Sequence, residues 1–109
     1  MSDLPLTLIP TEAAALLGGP DAPLLIDVRE ESEWNEVHIP GALLIPLSEF
    51  VARQDEIPAG RALIMQCRSS GRSGQAALAL RTAGRANVAN LAGGITDWEA
   101  AGLPVEHGE

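Results

Sequence analysis

Cys67 is the only cysteine of the 109-residue chain, and the residues around it have the types and spacing of a reactive site. It follows the apolar run Ala62–Gln66 and begins the stretch Cys-Arg-Ser-Ser-Gly-Arg-Ser, in which Arg68 and Arg72 supply fixed positive charge. Cysteine reacts as the thiolate, which nearby arginines, loop N–H groups and the positive end of a following helix all stabilise. The segment therefore favours a nucleophilic cysteine at the start of an anion-binding loop.

The remaining residues of this stretch are small, so a backbone made of them can curl around an anion, and some offer hydroxyl donors. They are Ser69, Ser70, Gly71 and Ser73. A second interpretation is that Cys67 is a small apolar side chain of the core, the commonest role of a free cysteine. The pattern alone does not choose between the two.

Positive charge is concentrated around this cysteine although the chain as a whole is acidic. Seven basic and fifteen acidic residues give a formal net charge of −8, which disfavours nucleic acids and anionic membranes as partners. Residues 61–85 contain five of the seven basic residues and no acidic residue. These five are Arg61, Arg68, Arg72, Arg81 and Arg85. Guanidinium groups recognise oxyanions through paired N–H donors, so the region favours a small anionic ligand.

Other kinds of chemistry lack the residues they need. A single cysteine excludes an internal disulfide, a CxxC redox pair and a multi-cysteine zinc site, and His38 and His107 are too few to complete a metal site with it. We therefore expect no metal and no cofactor. No apolar run approaches the ~20 residues of a membrane span, and Met1–Pro10 lacks the features of a secretory signal, so we expect a cytoplasmic protein.

The elements that must position Cys67 alternate regularly along the chain. Short apolar runs predict five strands, at Leu6–Ile9, Leu24–Val28, Ala42–Ile45, Ala62–Gln66 and Asn87–Leu91. Capping and spacing signals predict five helices, over Glu12–Leu17, Glu30–Val37, Ser48–Arg53, Ser73–Arg81 and Ile95–Ala101. The pattern favours one α/β domain over residues 1–109, with a mostly parallel sheet and helices on both faces. Ligands of such sheets bind beyond the carboxyl ends of the strands, where Cys67 lies.

Several residues outside the cysteine segment have structural interpretations. Trp34 and Trp98 are expected to anchor the core. The pair Gly93-Gly94 lacks the spacing of a phosphate loop, so a turn and close packing explain it better. Arg81 and Arg85 are expected at a solvated helix end, where cations suit the helix dipole.

The cysteine segment resembles the active-site loop of the rhodanese-like sulfurtransferases, and two further stretches resemble the same family in order and spacing. The first runs from Leu25-Ile26-Asp27-Val28-Arg29 through Glu33-Trp34 to His38-Ile39-Pro40-Gly41-Ala42. The second runs from Asn87-Val88 through Leu91-Ala92-Gly93-Gly94-Ile95 and Trp98 to Gly102-Leu103-Pro104-Val105. The resemblance covers about residues 6–106 and implies a three-layer domain whose five-stranded, mostly parallel sheet is flanked by helices.

The resemblance also implies an activity. Cys67 would take the sulfane sulfur of thiosulfate or a persulfide donor, hold it as a persulfide, and pass it to cyanide, a thiol or a thiol protein. In the matching positions, Arg68 would contact the oxyanion of the donor, Arg72 would close and organise the loop, and N–H groups from Arg68 to Ser73 would solvate the persulfide. Because the chain has no second thiol, the acceptor must be external. We expect a monomer or a weak homodimer.

Four polar residues before the loop are interpreted as structural support for the site. Arg29 is expected to pair with Glu33, and Asp27 to accept a backbone hydrogen bond at the end of its strand. His38 precedes turn residues and is expected to bond to the backbone rather than act as a base or a ligand. The alternative is that the carboxylates form a catalytic group.

Two features of the loop bear on its chemistry. Members of the family commonly have Cys-Arg-Ser-Gly-x-Arg, whereas here the fourth loop position is Ser70 and glycine follows at Gly71. If that position requires a positive φ, either Ser70 is strained or the loop is rearranged. Related phosphatases and arsenate reductases place five residues between cysteine and arginine, whereas this chain has four, which suits a single sulfur better than a phosphoryl group.

Three functions therefore stay open. The leading hypothesis is a thiosulfate or persulfide sulfurtransferase. The second is a sulfur carrier or partner-binding module with little turnover, whose Cys67 is loaded by one protein and unloaded by another. The third, which the loop length disfavours, is a phosphatase or an arsenate reductase.

Overall fold

A five-stranded parallel sheet forms the centre of the computed structural model, which describes residues 4–108. With strands numbered in chain order, its members are β1 (Thr7–Leu8), β2 (Leu24–Asp27), β4 (Leu43–Leu44), β5 (Leu63–Gln66) and β6 (Val88–Leu91). They lie in the order β1-β6-β5-β2-β4, and every neighbouring pair is parallel. The strands β3 (Val37–His38) and β7 (Glu106–His107) form a separate antiparallel pair.

The register of the central strands brings their carboxyl ends to one edge of the sheet. Asp27 of β2 lies opposite Gln66 of β5, and Met65 of β5 lies opposite Asn90 of β6. All four residues of β5 are buried, as expected for a strand that is covered on both faces. Cys67 directly follows β5, so it emerges between the ends of β2 and β6.

Within residues 4–108, four α-helices surround the sheet: α1 (Pro10–Leu17), α2 (Glu31–Glu36), α3 (Gly71–Thr82) and α4 (Gly94–Ala100). Among residues 4–108, no helix is both long enough and apolar enough to cross a membrane. The α3 helix begins at Gly71, two residues before its predicted start, because the left-handed backbone of Ser70 serves as its N-cap.

The core is divided between the two faces of the sheet, because successive side chains of a strand point to opposite faces. One cluster combines alternate strand residues with α3 and contains Cys67, Ile26, Met65, Ala77 and Leu80. The other combines the intervening strand residues with α1 and α4 and contains Leu25, Ile64, Ala13, Ile95 and Trp98. Helices therefore cover both faces, and the predicted three-layer α/β fold with a five-stranded sheet is confirmed.

The helix predicted over Ser48–Arg53 is wrong. The structure has a single 3₁₀ turn at Leu47–Glu49 and another at Gln54–Glu56, with turns between them. Pro46 rather than Ser48 occupies the N-cap, and its side chain cannot accept a capping hydrogen bond. A segment this short is marginal as an isolated helix unless an apolar face packs against the core, and Val51 in its middle is 82% exposed.

Trp98 anchors the core as expected, whereas Trp34 does not. Trp98 is buried, and its indole Nε1–H donates a hydrogen bond to the carbonyl of Pro104 over 2.8 Å. Trp34 is half-buried on α2, and its ring stacks on that of His38 with the ring centroids 4.0 Å apart. The Trp34 side chain therefore packs on the β3 strand instead of filling the space between sheet and helices.

Candidate active site

Cys67 is held at the carboxyl edge of the sheet by the amino end of α4. The carbonyl of Cys67 accepts the N–H of Ile95 at 2.9 Å, and the carbonyl of Arg68 accepts the N–H of Thr96 at 3.2 Å. The backbones approach so closely here that a Cβ on Gly94 would lie 2.2 Å from the Cys67 carbonyl oxygen. The interpretation of Gly93-Gly94 as a turn with close packing is thus confirmed, since both glycines also have positive φ.

The Cys67 sulfur faces donors from its own loop. The N–H of Ser70 donates to Sγ over 3.1 Å, and the Ser73 hydroxyl oxygen lies 3.3 Å from it. Burial alone would raise the pKa of this thiol. The Ser73 hydroxyl and the N–H groups of Ser73, Ser69 and Ser70 more than offset that effect, so its pKa lies below the ordinary value. The loop therefore favours the thiolate although Cys67 is only 1% exposed.

Ser70 has φ 102° and ψ −9°, and it is the only residue other than glycine with a positive φ among residues 4–108. The loop therefore keeps the turn that glycine would permit, with a serine in the left-handed region. Two hydrogen bonds hold the Ser70 carbonyl, which accepts the N–H of Gly74 at 2.9 Å and the amide N–H of Asn90 at 3.3 Å, and the Ser73 hydroxyl oxygen lies 3.2 Å from it. These bonds offset the backbone strain.

Arg72 forms a two-pronged ion pair with Glu33 of α2. Its Nη1 and Nη2 lie 2.7 Å and 2.9 Å from the two carboxylate oxygens. The Arg72 hydrogen bonds, opposed by burial and assisted by the N–H of Glu30, lower the pKa of Glu33 to about 2. Arg72 thus links the start of α3 to α2, and its guanidinium is directed at a carboxylate of the protein.

The expected pairing of Arg29 with Glu33 is wrong. The Arg29 guanidinium instead pairs with the buried Asp27 at 2.8 Å and donates to the carbonyl of Val37 at 2.7 Å. Asp27 also accepts the backbone N–H of Arg29 at 2.9 Å, the kind of backbone contact predicted for it. The pairing changes because the arginine folds back onto the strand end two residues earlier, while Glu33 faces α3.

His38 is engaged at both ring nitrogens. Its Nδ1 lies 3.0 Å from the carbonyl oxygen of Trp34, and its Nε2 lies 3.0 Å from Oε1 of Glu106. The ring therefore ties α2 to the β3–β7 pair. Within residues 4–108, no group of three His, Cys, Asp or Glu side chains is placed to hold a metal ion.

The remaining loop residues lie at the mouth of the site. Ser69 and Gly71 are exposed, and so is Arg68, whose guanidinium makes no hydrogen bond or ion pair with residues 4–108. Arg68 borders a cavity of about 190 Å³ with residues of α2 and α4, among them Glu36 and Glu99. A larger cavity of about 410 Å³ lies elsewhere, lined by Ala59–Arg61 and Gly84–Asn87.

The other arginines of the basic stretch bond to the protein. Arg81 and Arg85 were expected in solvent, yet Arg81 donates to the carbonyls of Val88 and Leu6, and Arg85 to those of Ile57 and Pro58. Each thus ties a helix end or loop to neighbouring backbone.

Sequence reasoning also missed Asn90, whose amide contacts both Ser70 and Ser73. The sequence offers a single indication of this role, which is that Asn90 is a polar residue near the end of a strand beside the one that Cys67 follows.

Comparison with known proteins agrees with this geometry. The rhodanese-like domain family matches residues 9–101. The uncharacterized protein slr1261 of Synechocystis sp. is 42% identical over 84 residues, which are 77% of this chain and 47% of that protein. A protein of Allochromatium vinosum named sulfurtransferase is 42% identical over 82 residues, which are 75% of this chain and 77% of that protein.

A solved structure named thiosulfate sulfurtransferase, from Pseudomonas aeruginosa, has a TM-score of 0.85 and 31% identity, over 94% of this chain and 20% of that chain. This chain thus spans about half of the Synechocystis protein and a fifth of the Pseudomonas protein. The family match runs from the start of α1 to the end of α4 and includes the whole cysteine loop. The resemblance of the three motifs is therefore confirmed, and the chain belongs to the rhodanese-like domain family.

Proposed function

We propose that the protein is a sulfurtransferase that carries sulfane sulfur as a persulfide on Cys67. The observation that carries this proposal is the Cys67 sulfur itself, within hydrogen-bond reach of the Ser70 N–H and the Ser73 hydroxyl at the end of a parallel strand. Family membership and the sulfurtransferase of Allochromatium vinosum support the same class of reaction.

In the proposed first step, the Cys67 thiolate attacks the outer sulfur of thiosulfate or of a persulfide donor. The new S–S bond forms as the donor S–S bond breaks, and sulfite or a thiolate leaves with the bonding electron pair. Cys67 then holds a persulfide, whose anionic outer sulfur the loop N–H groups solvate. No general base is required, because the attacking sulfur is already ionised.

In the second step, an external thiolate attacks the outer sulfur and Cys67 leaves as the thiolate. The acceptor must come from outside, since the chain has no second cysteine. Arg68 is the arginine we assign to the oxyanion of an incoming donor, because no group among residues 4–108 engages its guanidinium. Arg72, bound to Glu33, instead organises the loop and contributes positive charge.

The experiment that tests this proposal is intact-mass spectrometry after incubation with thiosulfate. We expect an added mass of roughly 32 Da, one sulfur atom, that disappears on addition of cyanide or a thiol. The Cys67→Ser variant serves as the matched control and should gain no sulfur. Sulfite release that persists in Cys67→Ser would contradict the proposal.

A sulfite-release assay, run beside the mass measurement, separates an enzyme from a low-turnover sulfur carrier. Repeated sulfite release with thiosulfate and cyanide identifies a catalyst, whereas one equivalent of stable persulfide that only a protein thiol removes identifies a carrier. Hydrolysis of p-nitrophenyl phosphate would instead favour a phosphatase, against the four-residue spacing between Cys67 and Arg72.

A further inference from the structure

Asn90 of β6 contacts the cysteine loop through both ends of its amide. Its Oδ1 is hydrogen-bonded to the Ser73 hydroxyl, and its Nδ2 donates to the carbonyl of Ser70 over 3.3 Å. The side chain does not touch Cys67 in the hydrogen-bond pattern of residues 4–108, so any influence on the sulfur passes through Ser73 or Ser70.

The Ser73 hydroxyl has one proton and three neighbouring acceptors. Besides Asn90 Oδ1, these are Cys67 Sγ at 3.3 Å and the Ser70 carbonyl at 3.2 Å. An amide oxygen carries no hydrogen, so Ser73 must be the donor in its bond to Asn90. In that state the contact between Cys67 and Ser73 requires the S–H of Cys67 to donate, which fits the thiol but not the thiolate.

We propose that Asn90 is a positioning residue that sets the direction of the Ser73 hydroxyl and thereby the ease with which Cys67 ionises. It competes with the sulfur for the single Ser73 proton. This inference rests on the proposed function, in which the Cys67 thiolate is the nucleophile, and it assigns the control of that nucleophile to a neighbouring strand.

Charged groups also lie near the cysteine loop, and each belongs to a different element. The pKa of Arg72 on α3 is raised, first by its hydrogen bonds to Glu33 and also by the charges of Cys67 and of Asp27 at the end of β2. Glu33 of α2 binds Arg72, and Arg68 adjoins the cysteine in the loop. Within residues 4–108, none of these groups hydrogen-bonds to Ser73, so Ser73→Ala removes none of their hydrogen bonds.

The test is the pH dependence of Cys67 alkylation by iodoacetamide in the wild type, Asn90→Ala, Ser73→Ala and the double variant. We expect Asn90→Ala to lower the midpoint by about 0.5 to 1 pH unit, because the freed hydroxyl turns to the thiolate. In the Ser73→Ala background the same change should have no effect. A raised or unchanged midpoint, or an equal shift in both backgrounds, would show that Asn90 merely supports the loop.

Asn90→Asp provides a nearly isosteric second variant should the alanine variant fail to fold. The variant keeps the acceptor for the Ser73 hydroxyl and adds a negative charge, so the midpoint of Cys67 alkylation should rise. Because the carboxylate also holds the Ser73 proton, the rise should be larger when Ser73 is present than in the Ser73→Ala background. An equal rise in the two backgrounds would overturn the proposal. Alkylation needs no sulfur donor, so its outcome is independent of whether the protein transfers sulfur.

Discussion

The arginines of the stretch around Cys67 have different structural roles. Arg72 binds a carboxylate of α2, whereas Arg81 and Arg85 donate to backbone carbonyls. Arg68 alone in the cysteine loop leaves its guanidinium to solvent and the bordering cavity. The clustering of positive charge in the sequence therefore marks the region of Cys67, but of these side chains only that of Arg68 has no hydrogen bond or ion pair with residues 4–108.

The hydrogen bonds at Cys67 predict an acidic thiol. We expect the rate of iodoacetamide alkylation to rise with pH through a midpoint below the ~8.5 of an unperturbed cysteine. Ser73→Ala should move that midpoint upward, because the thiolate loses a hydroxyl donor while the Ser70 N–H remains. A wild-type midpoint at or above that of a free cysteine would contradict the prediction.

Ser70 predicts a stabilising substitution. Glycine adopts the φ of 102° without steric cost, so Ser70→Gly should raise the free energy of unfolding by up to about 1 kcal/mol. Urea unfolding measures the change, and Ser70→Ala is the control because it retains the Cβ. Equal stabilities for the glycine and alanine variants would mean that the loop stores no strain at this residue.

At the scale of elements, the Glu33–Arg72 ion pair joins α2 to α3, and its strength should depend on pH. The pKa of Glu33 is lowered to about 2, so the pair stabilises the folded protein fully above the unfolded carboxyl pKa of ~4.3 and loses that effect as the pH falls toward 2. The stability difference between wild type and Glu33→Gln should therefore be constant above about pH 5 and shrink below it.

The matched control for this pair is Glu31→Gln, on the exposed side of the same helix and without an ion pair in residues 4–108. We expect it to change stability little at any pH. A wild-type advantage over Glu33→Gln that stays constant from pH 6 to pH 2.5 would refute the assigned role of Arg72.

The close approach of α4 to the loop predicts that Gly94 tolerates no side chain. In Gly94→Ala the new Cβ would lie 2.2 Å from a backbone oxygen, and Gly94 also has φ +56°, so we expect a loss of several kcal/mol and slower persulfide formation. Gly74→Ala in α3 is the control, because its Cβ meets only the Asn90 amide at 3.5 Å. It should be neutral or stabilise the helix by up to ~1 kcal/mol.

The sequence predicts the features that depend on local patterns, but it does not predict those that depend on contacts between distant residues. Apolar runs such as Ala62–Gln66 carry their own periodicity, so the strands and the position of Cys67 beyond β5 follow from them. The partner of Arg72 lies 39 residues away, and no local pattern distinguishes Glu33 from the neighbouring acids of α2. The two-residue strands β3 and β7 are too short to show any alternation.

At the scale of the whole molecule, the thiosulfate donor that we propose would approach a protein with a net charge of −8. Around Arg68 the bordering cavity adds the carboxylates of Glu36 and Glu99. Salt screens such repulsion, so we expect kcat/KM for thiosulfate to rise severalfold between roughly 10 and 200 mM ionic strength. Arg68→Ala should steepen the salt dependence. A fall in kcat/KM with added salt would mean that local attraction outweighs the net charge.

The contact between α4 and the loop also fixes the direction of two peptide dipoles. In a trans peptide the C=O and the following N–H point in opposite directions. Because α4 binds the carbonyls of Cys67 and Arg68, the N–H groups of Arg68 and Ser69 are turned the other way, and that of Ser69 contributes to the lowered pKa of Cys67. The cysteine loop is thus preorganised before a ligand binds. Negative charge that develops on the sulfur is stabilised by peptide dipoles that need no reorientation.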